Sequence, residues 1–157
     1  MKKTITRIAI GSVLMVLVVS AGTHAQERKL TRAQLPPAVE KTVAAESQGA
    51  TIKGFATEME KGKRLYEAEL EINGHSKDIS MDRNGNIVEV EEEVTMDSLS
   101  SPVQEALKAT AGEGTIGKIE SLTKDGKLVA YEAHVITGKK RSEIQVGPNG
   151  EKLRRPE

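Results

Sequence analysis

The chain has 157 residues, with 23 basic and 23 acidic side chains, no cysteine, no tryptophan and only three aromatic residues. The length suits one domain or two very small ones. The lack of cysteine excludes disulfides and lipid attachment at a cleaved N-terminal cysteine. So few aromatic rings also argue against sugar-binding platforms and single-stranded nucleic-acid grooves, which depend on stacking.

The first 25 residues have the pattern of a secretory signal peptide. Three basic residues precede an apolar run at 8–19, and small residues precede a predicted cut after Ala25. We therefore expect a periplasmic or secreted protein with no membrane span after cleavage, with an uncleaved anchor as the alternative. The remaining chain has 20 basic and 23 acidic side chains. This mild acidity predicts no nucleic-acid partner.

After an N-terminal segment at 26–34, the pattern predicts one helix followed by strands. Pro36 and Pro37 open the helix, Val39 and Val43 lie on one face of it, and Gly49 stops it. The strands "TIKGFATEM", "RLYEAELEI", "KDISM" and "IVEVEEEV" follow, separated by Gly-Lys and Asn-Gly turns. Tyr66 falls in the inward phase of the alternating second strand. These features predict an antiparallel meander covered by a helix.

The pattern then repeats. A junction at 95–98 precedes a second helix, for which Ser101 is the predicted N-cap, Pro102 the first helical residue and Gln104 the capping-box partner. The "GEG" stretch from Gly112 to Gly114 stops this helix, and "TIGKIESLT", "LVAYEAHVI", "SEIQV" and a short final "EKL" follow as strands. Tyr131 opens the same "YEA" motif as Tyr66, 65 residues later.

Apolar positions of the two stretches align at an offset of 64 residues, which becomes 65 after one insertion. We therefore predict an α+β fold of two tandem homologous units, at 35–94 and 99–157, each with one helix packed on a small antiparallel meander sheet. Tyr66 and Tyr131 are predicted to be equivalent core or near-core residues. Units of about 60 residues are marginally stable alone, so we expect them to pack together.

The "LPxAV" helix start, the Gly-Lys turn, the "YEAxL" strand and the "NG" turn together resemble the PepSY-like domains, and more closely their tandem, β-lactamase-inhibitor-protein-like form. The resemblance covers about Leu35 to Leu153. It implies an exported binding domain in a family linked to control of peptidases or other envelope enzymes. It implies no catalytic residues. The chain departs from the pattern where "EKLRRPE" replaces a full closing strand.

The sequence contains no arrangement that predicts catalysis, a cofactor or a metal. His24 leaves with the signal, and His75 and His134 are far apart, so we interpret both as surface histidines and expect no zinc site. No "GxSxG" motif occurs, and "GEGTIGK" at 112–118 lacks the Ser or Thr and the following helix that a phosphate loop needs. We expect a protein that is not an enzyme.

The most polarised stretch is "VEVEEEV" at 88–94. Three of its four glutamates share one strand face, and a nearby strand adds three more; the weak candidates for an interaction face are Glu67, Glu69, Glu71, Glu89, Glu91 and Glu93. They could bind a basic partner or divalent cations, or they could simply be a charged outer face that resists edge pairing. The predicted function is an exported, non-enzymatic binding module that modulates or inhibits a peptidase or other envelope protein. The alternative is a ligand- or cation-responsive envelope sensor.

Overall fold

The computed structural model describes residues 27–157, so the predicted signal peptide lies outside the described residues. The two helices are α1, Pro37–Glu46, and α2, Ser101–Ala111. The eight strands are β1 Arg28–Lys29, β2 Thr51–Glu60, β3 Lys63–Ile72, β4 His75–Met81, β5 Ile87–Val94, β6 Thr115–Lys124, β7 Lys127–Thr137 and β8 Lys140–Val146.

All eight strands form one antiparallel sheet in chain order from β1 to β8. The prediction of two units that each have their own small sheet is therefore wrong, although the fold combines helices and strands as expected. β5 pairs with β6 from Glu89 opposite Lys124 to Val94 opposite Ile119. Separate sheets would each leave a strand edge with unpaired backbone groups, and this pairing satisfies both edges.

We call α1 and the strands β2–β5 the N-terminal half, and a first core cluster lies between this helix and these strands. Val39 and Val43 of α1 are buried in it, and Ile87 and Val90 of β5 pack against it. The buried strand residues of this cluster are Phe55, Tyr66, Ala68, Leu70, Ile79 and Met81. They alternate along their strands, so a single face of the sheet supplies the core.

A second cluster lies between α2 and the strands β6–β8, which we call the C-terminal half. Val103 and Leu107 of α2 are fully buried against Ile119, Ala133 and Val146. Val94, the last residue of β5, packs against this cluster as well. β5 therefore contributes apolar side chains to both cores, and it connects them through the sheet.

The two tyrosines do not have the same burial. Tyr66 is only 8% exposed, whereas Tyr131 is partly buried at the margin of the second cluster. Both contact their cores, as the inward phase of their strands predicts. Tyr66 belongs to the buried core itself, and Tyr131 packs against it from outside.

Several local predictions differ from the structure. The N-cap of α2 is Ser100 and not Ser101, and the side chain of Gln104 donates to the carbonyl of Leu99 at 3.0 Å instead of forming a capping box. β1 adds a short strand that the sequence analysis did not predict. The short final strand at "EKL" is absent from the described residues, where β8 is followed by a turn and an irregular tail.

Candidate functional site

Both helices lie on the same face of the sheet. Val90 packs against the α1 cluster and Val94 against the α2 cluster. These residues are four positions apart on β5, and residues separated by an even number of positions along a strand point to the same face of the sheet. Neither helix therefore covers the opposite face.

That opposite face is rich in carboxylates, and we call it the carboxylate face. Neighbouring strands place acidic side chains directly opposite one another, with Glu69 opposite Asp78 and Asp78 opposite Glu91. The next row continues from Glu93 to Glu120 and from Glu120 to Glu132. The acidic members contributed by the five central strands are Glu67, Glu69, Glu71, Asp78, Glu89, Glu91, Glu93, Glu120 and Glu132. Like charges in directly opposed positions destabilise a sheet.

Two lysines neutralise part of this charge. The Lys118 ammonium lies 2.7 Å from Oε1 of Glu120, whose side chain is 4% exposed. The Lys124 ammonium lies 3.0 Å from Oε2 of Glu89. Burial is the largest single effect and opposes the charged form of each lysine, but the contact with the paired glutamate and the attraction of nearby carboxylates together outweigh it and raise the pKa. Both lysines therefore remain charged and hold one carboxylate each.

The centre of the face is a small acidic cavity of about 80 Å³, lined by Glu58, Glu67, Asp78, Ser80, Glu89 and Glu91. Burial, followed by repulsion from Asp78, raises the pKa of Glu67 to about 7. Burial also raises the pKa of Asp78 to about 6, against the favourable effect of Lys118. The strongest effect is at Glu91, where burial and the neighbouring Glu89 raise the pKa to about 8. These carboxyls bind protons near neutral pH.

Glu93 behaves differently although it lies on the same strand as Glu91. The backbone N–H of Ser76 donates to its Oε2 at 3.0 Å, and this hydrogen bond lowers the pKa of Glu93. His75 approaches the other oxygen at 3.7 Å. The face therefore combines a rim that stays charged with a centre that resists ionisation.

A histidine joins the carboxylates toward β7. His134 Nε2 lies 3.3 Å from Oε2 of Glu120, and Gln145 donates to Glu132 at 2.7 Å. One ligand atom from each of Glu120, Glu132 and His134 falls within a 4.8 Å span, and the same holds for Asp78, Glu91 and Glu120. Carboxylate and imidazole groups at this spacing can hold a divalent cation, provided that it competes with Lys118 for Glu120.

The six glutamates chosen from the sequence all lie on the carboxylate face, because their odd-numbered positions alternate with core residues. The interpretation that they protect an edge does not fit, since β5 has strands on both sides. Sequence reasoning missed Asp78, Glu120 and Glu132, and it treated His134 as an isolated surface residue. The alternation of side chains along each strand could have identified the first two, because Asp78 precedes the buried Ile79 and Glu120 follows the buried Ile119.

The fold has solved counterparts. A DUF2874 family protein from Bacteroides uniformis matches with a TM-score of 0.61 at 20% identity, over 76% of this chain and 86% of that one. A Bacteroides eggerthii protein with a provisional periplasmic assignment matches with a TM-score of 0.62 at 19% identity, over 76% of this chain and 86% of that one. A BLIP-like protein from Bacteroides fragilis matches with a TM-score of 0.55 at 21% identity, over 74% of this chain and 82% of that one.

No protein-family profile matches the chain, and no curated protein sequence matches it. The structural likeness shows that the chain has the fold of the BLIP-like and DUF2874 family proteins. At the level of the fold, it confirms the resemblance found in the sequence. Among residues 27–157, neither helix is long and apolar enough to cross a membrane.

Proposed function

We propose that this protein is an exported, non-enzymatic binding protein that recognises a basic surface of an envelope protein through its carboxylate face. The observation that carries the proposal is the row of directly opposed carboxylates on a sheet face that neither helix covers. Such a row costs folding stability. A complementary basic surface would supply the missing counter-charge.

The acidic centre makes binding sensitive to protons. Glu67, Asp78 and Glu91 have pKa values raised to about 7, 6 and 8. A cationic partner placed against them would lower these values, because a nearby opposite charge favours the ionised form. Binding at neutral pH would therefore release protons, and affinity would rise as pH increases from 6 to 8.

The nature of the partner follows from the resemblance to PepSY-like proteins and from the predicted export. A peptidase is the first candidate, and modulation or inhibition of it is the proposed outcome. The fold shared with a BLIP-like protein supports a protein partner as well. A specific complex would bury a standard area of about 1,600 Å².

The test is affinity capture from the native envelope extract with three baits. The first is the wild-type mature chain, and the second carries Glu67→Gln, Glu89→Gln and Glu91→Gln. The matched control carries Glu92→Gln, Glu105→Gln and Glu113→Gln, which replaces the same number of glutamates at exposed positions away from the carboxylate face. A protein retained by the wild type and the control, but lost with the second bait and at high salt, supports the proposal. Equal retention by all three baits contradicts it.

The second candidate function is cation sensing, and the grouping of Glu120, Glu132 and His134 favours it. A cation that binds only the folded state must raise the unfolding midpoint. Calcium and zinc would be titrated separately against the wild type and His134→Ala. A midpoint that rises with metal in the wild type but not in the variant, together with no captured protein, would favour the sensor.

A further inference from the structure

β8 leaves one edge of the sheet without a strand partner. At the other end of the sheet, β1 pairs with β2, and the N–H of Leu30 donates to the carbonyl of Phe55. β8 pairs with β7 on one side, and no strand of residues 27–157 pairs with its other side. An open strand edge presents unpaired N–H and C=O groups that can accept another extended chain.

The chain leaves β8 through the same turn by which it leaves β4. In the turn after β4, the N–H of Asp82 donates to the carbonyl of Asn86, and the N–H of Gly85 donates to the carbonyl of Asp82. The turn after β8 has the same two hydrogen bonds, from Gly147 to the carbonyl of Glu151 and from Gly150 to the carbonyl of Gly147. After the first turn, β5 pairs along β4. After the second, residues 152–157 form no strand, and the backbone of Glu157 bonds only to the side chain of Gln145.

A cavity of about 460 Å³ lies beside this edge. It is bordered by α2 and the C-terminal tail, and its apolar lining includes Ala106, Ala109, Val146 and Leu153. In the N-terminal half, the strand that follows the same turn carries Ile87 and Val90, which pack against the α1 cluster. In the C-terminal half, residues 152–157 supply no strand that would bring equivalent side chains to α2.

The surroundings of the cavity are basic. Lys152, Arg154 and Arg155 line it, and the exposed Lys140 and Arg141 begin β8. Lysines on an edge discourage pairing with neutral strands, but the same charges attract an acidic one. β5 itself has the matching chemistry, since "IVEVEEEV" combines apolar residues with four glutamates.

We propose that the outer edge of β8 is a second binding site, which accepts an extended acidic segment of a partner protein as an added antiparallel strand. The segment spans about seven residues, the length of β8. Its backbone pairs with β8, and alternate apolar side chains enter the cavity beside α2. Its carboxylates, on the opposite side of the added strand, lie at the sheet face that carries Arg141, and the exposed Arg154 and Arg155 add positive charge beside the same edge. This site lies on a different surface from the carboxylate face and takes a ligand of opposite charge.

The probe is a synthetic peptide with the sequence of residues 86–94, NIVEVEEEV, added to the mature full-length protein. We expect saturable binding by fluorescence anisotropy, with slower hydrogen exchange at β8 amides. Arg154→Glu with Arg155→Glu should weaken binding about tenfold or more, because charge complementarity is reversed. Lys29→Glu with Lys41→Glu is the control with the same charge change, and it should bind as the wild type does.

Two further peptides make the test specific to strand addition. The same peptide with proline at two alternate positions cannot pair along an edge, and a peptide with lysine in place of every glutamate lacks the charge. Neither should bind. Equal binding of the proline peptide, protection at β2 instead of β8, or no binding at millimolar peptide would overturn the proposal. A dimer whose β8 amides are protected without peptide would do so as well, because a second copy would then occupy the edge.

Discussion

The two halves of the sheet begin alike and end differently. Each has a helix packed on long paired strands, followed by a glycine turn that lies against the start of that helix. The N-terminal half then adds β5, whereas the C-terminal half ends in a tail that contains two consecutive arginines and Pro156. β5 alternates β-branched and acidic residues and pairs on both sides, whereas residues 152–157 form no strand. One strand thus decides which half is closed and which remains open.

The largest expected difference between the halves is at the tyrosines. Tyr66→Ala should cost about 3–5 kcal/mol of unfolding free energy, as for other buried aromatic truncations. Tyr131→Ala should cost less, about 1–3 kcal/mol, because this side chain is only partly buried. Urea denaturation of both variants measures the costs. Equal losses would mean that the two residues have equivalent environments, as the sequence alone predicts.

The turn glycines give a closely matched comparison. Gly85 and Gly150 have φ angles of 77° and 83°, and a Cβ atom would lie 2.4 Å from the Ala38 carbonyl oxygen in one case and 2.5 Å from that of Pro102 in the other. Replacement by alanine should cost at least about 1 kcal/mol at either site from backbone strain alone.

We expect Gly85→Ala to be the more costly of the two. The turn at Gly85 is followed by β5, which is fixed by pairing on both sides, while the turn at Gly150 is followed by a tail that can shift. Thermal unfolding of the two variants, with Gly62→Ala as a control for positive φ without a steric contact, checks this order. A larger cost at Gly150 would show that the tail is held as firmly as β5.

A smaller effect is expected from pH. The pKa values of Glu67, Asp78 and Glu91 are raised on folding, so the native state holds more protons than the unfolded state between about pH 4 and pH 8. Stability should therefore fall as pH rises through this window. Glu91→Gln should be more stable than the wild type at pH 8 by about 1 kcal/mol, after allowance for solvent screening.

The matched control for this prediction is Glu92→Gln. Glu92 is the exposed neighbour of Glu91 and points to the other side of the strand. Its replacement should leave the slope of stability against pH unchanged. A wild-type protein that becomes more stable from pH 5 to pH 8 would contradict the burial of the central carboxyls.

The smallest expected difference is in cooperativity. Tyr66→Phe leaves Tyr131 as the single tyrosine, which reports on the C-terminal half, and Tyr131→Phe leaves Tyr66 to report on the N-terminal half. Because β5 and β6 pair along six residue pairs, fluorescence and circular dichroism should give the same unfolding midpoint within each variant. Separate midpoints in either variant would show that the halves unfold independently.

Much of the local structure could be predicted from the sequence. The helical spacing of Val39 and Val43 identified the buried face of α1, and the alternation around Tyr66 identified both the core side and the acidic side of β3. The boundaries of α2 were nearly right, because proline and glycine restrict backbone angles wherever they occur. The six glutamates could be placed on the face opposite the core, because side chains along a strand point to the two faces in turn.

Only the tertiary structure decided how these parts combine. Whether β5 closes one sheet or pairs with β6 depends on contacts between distant segments, and local periodicity contains no information about them. The approach of Asp78, Glu120, Glu132 and His134 depends on the register of the four strands β4 to β7, and the burial that shifts the pKa values also depends on strand register. The outer edge of β8 is likewise a result of tertiary structure, because no strand of residues 27–157 pairs with it. The sequence by itself determined the faces of the elements, because those faces follow from backbone geometry, while the partners across each strand were determined only by folding.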